Sequence, residues 1–173
     1  HGAYDSFFHI LNNCSGVIKE KVDYCFGERM TEEEKAEFCT LIYYPREKVE
    51  QLTAEGKADA IWYQQNIANL LELTKLMSWK FPASKMRSYI PKRYESVIVE
   101  LLSTRPELDE AQLYYYKQLI ETIVEIGGGT DFIDAFSVLV KRLAVERIHI
   151  VGDFFDRGDS PDGILDLLMQ HPS

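Results

Sequence analysis

The chain is poor in cysteine. Its three, Cys14, Cys25 and Cys39, are separated by 11 and 14 positions, form no Cys-x-x-Cys pair and have only four histidines for company. A disulfide framework and a zinc site of ordinary spacing are both excluded, and reduced thiols in a cytoplasmic protein are expected. Also missing is any apolar run near the roughly 18 to 20 residues that span a bilayer. No signal-peptide pattern opens the chain, and His1 in place of Met suggests a piece of something longer. Basic charge is scarce too, since 28 acidic side chains against 19 basic ones leave a net -9. General nucleic-acid binders owe most of their affinity to Lys and Arg neutralising phosphates, so no such partner is expected. A glycine-rich phosphate loop is lacking as well: Gly127 to Gly129 follows a helical pattern instead of a strand, and reads as a helix stop.

What is present is a globular composition, 46% hydrophobic and 27% charged over 173 residues, the length of one domain. Most of it carries helical periodicity. Tyr4, Phe7, Phe8 and Leu11 share one face of a first helix. A second carries Ile18, Val22, Cys25 and Phe26 and stops at Gly27. Thr31 with Glu34 spells a capping box before Phe38, Leu41 and Ile42, and Pro45 suits the first turn of the next helix, which fades near Gly56. A longer helix from about 58 to 80 has Tyr63, Ile67, Leu70, Thr74 and Met77 on one stripe, and Tyr94, Val97, Ile98, Leu101 and Leu102 repeat in the same way. Asp109 can cap a helix burying Leu113, Tyr116, Ile120 and Ile123, with Tyr114 and Tyr115 left outside. Thr130 can cap another, with Ile133, Phe136, Val140 and Leu143 inward. The period then changes: Val145, Ile148, Ile150 and Val151 read as a single strand at about 145-152. One strand needs neighbours for its backbone groups, so its partners are expected outside the chain. Pro161 opens a final helix.

The chemistry concentrates in Gly152-Asp153-Phe154-Phe155-Asp156-Arg157-Gly158. At a strand end, where open α/β sheets bind ligands, Asp153 can offer a carboxylate to a divalent cation. Arg157 presents a planar fork of donors suited to two phosphate oxygens, and Asp156 can fix the tautomer of a histidine ligand. A calcium loop does not fit, because Phe155 and Arg157 fall where oxygen ligands are needed. The bland alternative, a solvated Asp-rich turn, leaves five specified residues in seven unexplained.

These residues resemble the second signature of the calcineurin-like metallophosphatases, Gly-Asp-x-x-Asp-Arg-Gly, and His1-Gly2 resembles the end of the first, Asp-x-His-Gly; the third, Gly-Asn-His, would follow Ser173. A strand-helix-strand unit takes about 30 residues, yet His1 and Asp153 are 152 positions apart. About 120 residues are therefore inserted, and they read as helices. Such an insertion is similar to that of the class III fructose-1,6-bisphosphatases, and the likeness extends through His1 to Leu11, Asn13 to Gly16, Ile42 to Pro45 and Val145 to Gly158 followed by Pro161-Asp162.

The resemblance implies an α/β metallophosphatase, a β-sandwich flanked by helices, of which this chain is a mostly helical fragment. Residues 1-16 would begin the core, 17-129 would be the helical insertion and 130-173 would return to the core. It implies an enzyme, a phosphoric monoester hydrolase that converts fructose 1,6-bisphosphate to fructose 6-phosphate in gluconeogenesis with a water activated by two divalent metals, manganese by expectation. His1 and Asp153 would be metal ligands, Asp156 and Arg157 catalytic, and Arg157 also the phosphate contact; the fragment alone should be inactive. A sugar bisphosphate is the expected partner, with no nucleic acid and no membrane, and a homo-oligomer is compatible. Two rival readings are a protein serine/threonine phosphatase of the same superfamily and a non-catalytic helical interaction module.

The remaining candidates are weaker. His9 and His149 lack a carboxylate or histidine at useful spacing and read as structural. Lys80, Lys85, Arg87, Lys92 and Arg93 read first as a solvated face, and second as an anion site for an effector or for the substrate's other phosphate. Residues 145-173 hold six acids and two bases, so the acidity is densest where cations are expected.

Overall fold

Helix boundaries in the computed structural model follow local backbone chemistry; it describes residues 16–103 and 110–156. The expected first helix around Tyr4 to Leu11, the cap at Asp109 and the final helix after Pro161 lie outside these residues. Helix α1 spans Gly16–Phe26 and buries Ile18, Val22 and Phe26. A 3₁₀ turn over Gly27–Arg29 follows, with Gly27 at φ 46°, a conformation that costs little only for glycine. Helix α2, Glu32–Tyr43, opens with the expected capping box. Thr31 Oγ1 accepts from the Glu34 amide at 3.2 Å, while the Glu34 carboxylate accepts from the Thr31 amide at 2.8 Å.

Helix α3, Pro45–Ala54, has its proline at the first position and closes at Gly56. There the Gly56 amide donates to Thr53 O and the Lys57 amide to Leu52 O, the paired bonds of a Schellman cap. Helix α4 runs over Ala60–Ser78, capped by Asp59, whose carboxylate accepts from the Trp62 amide at 2.8 Å. Helices α5, Ala83–Tyr89, and α6, Glu95–Leu102, flank a 3₁₀ turn at Lys92–Tyr94. Helix α7 covers Glu110–Glu125 and α8 covers Gly129–Asp156.

Helices α4 and α8 form the central pair. Around them, α1, α2, α3 and α5 pack on α8, and α1, α6 and α7 pack on α4. The expected stripes are the buried ones: Ile67, Leu70, Thr74 and Met77 of α4 meet Ile133, Phe136, Val140 and Leu143 of α8, all fully enclosed. Phe26 and Phe38 close the α1–α2 side edge to face, with ring centroids 5.3 Å apart. Truncating a buried phenylalanine such as Phe136 to alanine costs about 3–5 kcal/mol, so this seam holds the bundle together.

Three expectations are corrected. The strand at about 145-152 does not form, because α8 continues through those residues to Asp156. No strand exists among the described residues to share a ladder, and a helix satisfies its own backbone donors and acceptors. Leu113 is 57% exposed: α7 buries Ile120 and Ile123 in its C-terminal half, and its first turns extend past the core. Thr130 lies inside α8 rather than capping it, for a reason found at Gly129.

Candidate active site

Helix α8 carries the first part of the sequence signature, and its entry point is set by three glycines with separate tasks. Gly127, at φ 81°, ends α7. Its amide donates to Val124 O at 3.0 Å and the Gly128 amide to Ile123 O at 2.9 Å, again a Schellman closure. Gly129 then starts α8 instead of ending α7. A Cβ built there would stand 2.6 Å from Cδ1 of Tyr63, so the tyrosine ring rests directly on the helix backbone. The Thr130 hydroxyl is consequently engaged with the Tyr63 hydroxyl at 3.0 Å, not with its own helix terminus.

Polar clamps tie successive turns of α8 to neighbouring helices. Arg46 of α3 reaches Asp131 at 3.3 Å and Asp134 at 2.9 Å, and the Tyr94 hydroxyl donates to Asp131 at 2.7 Å. The Tyr94 hydrogen bond, followed by the Arg46 guanidinium, holds the Asp131 carboxyl below its ordinary range. Lys141 donates to Tyr43 O at 3.4 Å, and burial pushes its ammonium pKa down. Farther along, Lys85 and Tyr89 of α5 bind the two carboxylate oxygens of Glu146 at 2.7 and 2.9 Å.

Of the residues singled out for chemistry, Asp153 and Asp156 fall in the last two turns of α8. They stand three positions apart in a helix and not on the strand-to-turn step expected for Gly152-Asp153. His1 and Arg157 lie outside the described residues. Among the described residues no three His, Cys, Asp or Glu side chains converge as a metal site. The donor types implied by the sequence, imidazole with carboxylate, are ones that divalent cations take.

The family model for Firmicute fructose-1,6-bisphosphatase matches residues 1–173. The chain belongs to the Firmicute fructose-1,6-bisphosphatase family. It is 42% identical over 171 residues to a class 3 fructose-1,6-bisphosphatase of Clostridium acetobutylicum, covering 99% of this chain and 26% of that relative. The Clostridioides difficile protein of the same name is 39% identical over 171 residues, and the Alkaliphilus metalliredigens one 40% identical over 174, each again covered to 26%. The chain thus spans about a quarter of the length of the curated relatives it matches. No solved structure matches it.

Other surfaces of this fructose-1,6-bisphosphatase family chain are less suited to chemistry. Four of the five expected basic residues are already engaged. Lys85 pairs with Glu146 and Lys92 with Glu95 at 2.9 Å, while Lys80 and Arg93 lie over the Trp79 and Tyr94 rings. This favours the solvated-face reading over an anion site. A groove of about 710 Å³ opens between α1, α2, α3 and α4, lined by Phe26, Arg29, Phe38, Trp62 and Asn66 among others, with no residue of α8. Its cations are likewise paired, Arg29 with Glu72 at 2.6 Å and Lys48 with Glu37. Tyr114 and Tyr115 are exposed as expected, while Tyr116, expected to be buried, is only half-buried against the core. No described helix is long and apolar enough to cross a membrane.

Sequence reasoning overlooked the Tyr63–Gly129 contact and the Glu146 clamp. Both join helices far apart in the chain, and periodicity reports only which face is apolar.

Proposed function

We propose that the full-length protein carrying this chain releases the C1 phosphate of fructose 1,6-bisphosphate to give fructose 6-phosphate, a step of gluconeogenesis. The chemistry would take place on a metallophosphatase core to which residues 1-16 and 130-173 belong, with residues 17-129 as a helical insertion. The observation that supports this is the seven-residue signature at Gly152 to Gly158 inside a family match over residues 1–173. In this reading His1 and Asp153 hold divalent cations, manganese by preference. When bound, a cation pair polarises the phosphoryl group and supplies the positive field an acidic chain lacks. Arg157 grips two phosphate oxygens with its planar guanidinium. Asp156 accepts an imidazole N–H and so fixes that ring for its task. The 173-residue segment alone holds an incomplete donor set and should turn over little substrate.

Phosphate release by the full-length protein, compared between fructose 1,6-bisphosphate and a phosphoserine peptide, tests the assignment. Sugar bisphosphate should be preferred, a chelator should abolish release and Mn2+ should restore it, and Asp153→Ala should lower kcat roughly a hundredfold or more. Preference for the peptide would make the protein a phosphoprotein phosphatase. No release from either substrate would leave a helical interaction module.

A further inference from the structure

Helix α5 is a fixed platform, because Met86 on its inner side and Ile90 at its C-terminal cap are buried in the core and the helix packs against α8. From that platform Lys85 Nζ donates to Glu146 Oε2 at 2.7 Å and the Tyr89 hydroxyl donates to Glu146 Oε1 at 2.9 Å. The two donors are four residues apart, on successive turns of one face. Each carboxylate oxygen therefore has its own donor, which fixes both where Glu146 sits and how its plane is turned. The pair is mutually reinforcing: Glu146 raises the Lys85 pKa, and burial followed by the Glu146 hydrogen bond raises that of Tyr89.

Asp153 stands seven residues beyond Glu146 on the same continuous helix. Seven residues return to the same face within about 20° and advance about 10 Å. Whatever sets the rotation of α8 at 146 therefore sets it at 153, and slipping by one residue would turn position 153 by about 100°. Among residues whose side-chain surroundings are described, Glu146 is the tie to another helix nearest the signature.

We propose that Glu146 is a positioning residue: held at both oxygens by Lys85 and Tyr89, it fixes the rotation and register of the last turns of α8, which carry Asp153 and Asp156. The inference rests on the reading of residues 152-158 as part of a metal site. It also gives the helical insertion a task, since α5 belongs to the insertion and the signature does not.

Hydrogen exchange on the full-length protein, read at peptides from this segment, supplies the first arm of the test. Glu146→Ala should speed exchange of amides 147–156 about tenfold while amides 132–143 stay as they are, because the hydrogen bonds lost are local to the end of α8. Glu146→Gln, which keeps an accepting oxygen, should fall between, and Tyr89→Phe should show the same pattern more weakly. In the full-length protein, Glu146→Ala should weaken substrate-free Mn2+ binding, followed by the paramagnetic signal of free Mn2+. It should also lower kcat about tenfold with KM within about twofold. Unchanged exchange at 147–156, a rise shared equally by 132–143, or unaltered Mn2+ binding would each overturn the inference. Wild-type protein that binds Mn2+ but releases no phosphate from the bisphosphate refutes the assigned substrate alone, and the exchange and Mn2+ arms still decide the role of Glu146. Wild type that binds no Mn2+ refutes both.

Discussion

Replacing Gly129 with alanine probes how α8 is seated. Its ideal Cβ would lie 2.6, 3.0 and 3.1 Å from Cδ1, Cγ and Cε1 of Tyr63, closer than carbon atoms pack at their roughly 3.5–4.0 Å optimum. The ring cannot simply swing away, because its hydroxyl is held at 3.0 Å by Thr130 and it packs edge to face with the Trp62 ring, centroids 5.1 Å apart. Overpacking of this kind costs about 1–3 kcal/mol, and losing the Tyr63–Thr130 hydrogen bond adds about 1. Against this, alanine gains up to about 1 kcal/mol of helix propensity over glycine, less at a first helical position. The net expectation is a loss of about 2 kcal/mol, or a Tm lower by roughly 4–8 °C for a chain of this length. Urea unfolding followed by circular dichroism measures it. The companion variant is Tyr63→Ala, which removes the ring: in that background Gly129→Ala should be neutral or slightly stabilising, giving a coupling of about 2 kcal/mol. An equal loss in both backgrounds would show that the ring contact is not the cause, and an increase in Tm for the single variant would refute the seating of α8 altogether.

Ser137 is fully enclosed and its hydroxyl has no hydrogen-bond partner among the described residues, so Ser137→Ala should leave stability unchanged or raise it by about 1 kcal/mol in the same urea titration; a clear loss would reveal a partner for that hydroxyl. Asp131 titrates below its ordinary value of 3.8, through the Tyr94 hydroxyl first and Arg46 after it. A carboxyl depressed in the folded state stabilises the fold above its unfolded pKa and loses that contribution as pH falls through the folded one. Tyr94→Phe should accordingly move the Asp131 carboxyl midpoint upward in 13C NMR and shift acid unfolding to higher pH, and an unmoved midpoint would break the assignment. Burial first, with Glu72 adding at Cys25 and Asp23 at Cys39, pushes both thiols up to about 11. At pH 8 iodoacetamide should label them about a hundredfold more slowly in the native chain than in urea, with mass spectrometry reading each site; equal rates would place them in the open.

The helical bundle is legible residue by residue because its signals are local. Thr31 and Glu34 cap a helix through three residues of contact, Gly56 and Gly127 need a left-handed backbone, and the α4 and α8 stripes recur every three or four positions. Leu113 misled because periodicity identifies a face without saying how far along that face the neighbouring helix extends. Residues 145-152 misled for a related reason: a β-branched run suits a buried strand, but a strand is stable only beside others, and that information does not reside in the run itself. The site was legible only as chemistry. The types and order of Asp153, Asp156 and Arg157 point to phosphate and metal, while the clamps on α8 come from residues separated by tens of positions, such as Lys85 and Glu146, whose pairing depends on how whole helices cross.

That division bears on how, in the function proposed above, a helical insertion would matter to a metal-dependent phosphatase. Among the described residues the bundle assembles no metal-binding cluster of its own, and most of the cations singled out above are spent on ion pairs and aromatic rings, so it has little direct chemistry to offer. What it does offer is rigidity at two points of one helix. Tyr63 bears on the backbone at Gly129, and Lys85 with Tyr89 grips Glu146, seventeen residues or about 25 Å farther along. A helix held at both points within a close-packed core has no freedom to turn between them, and the turns that follow inherit that orientation. Catalysis by bound cations depends on placing ligands within fractions of an ångström. Under the function proposed above, a mutation in the insertion, distant in sequence from every signature residue, would therefore alter turnover through α8 without touching substrate.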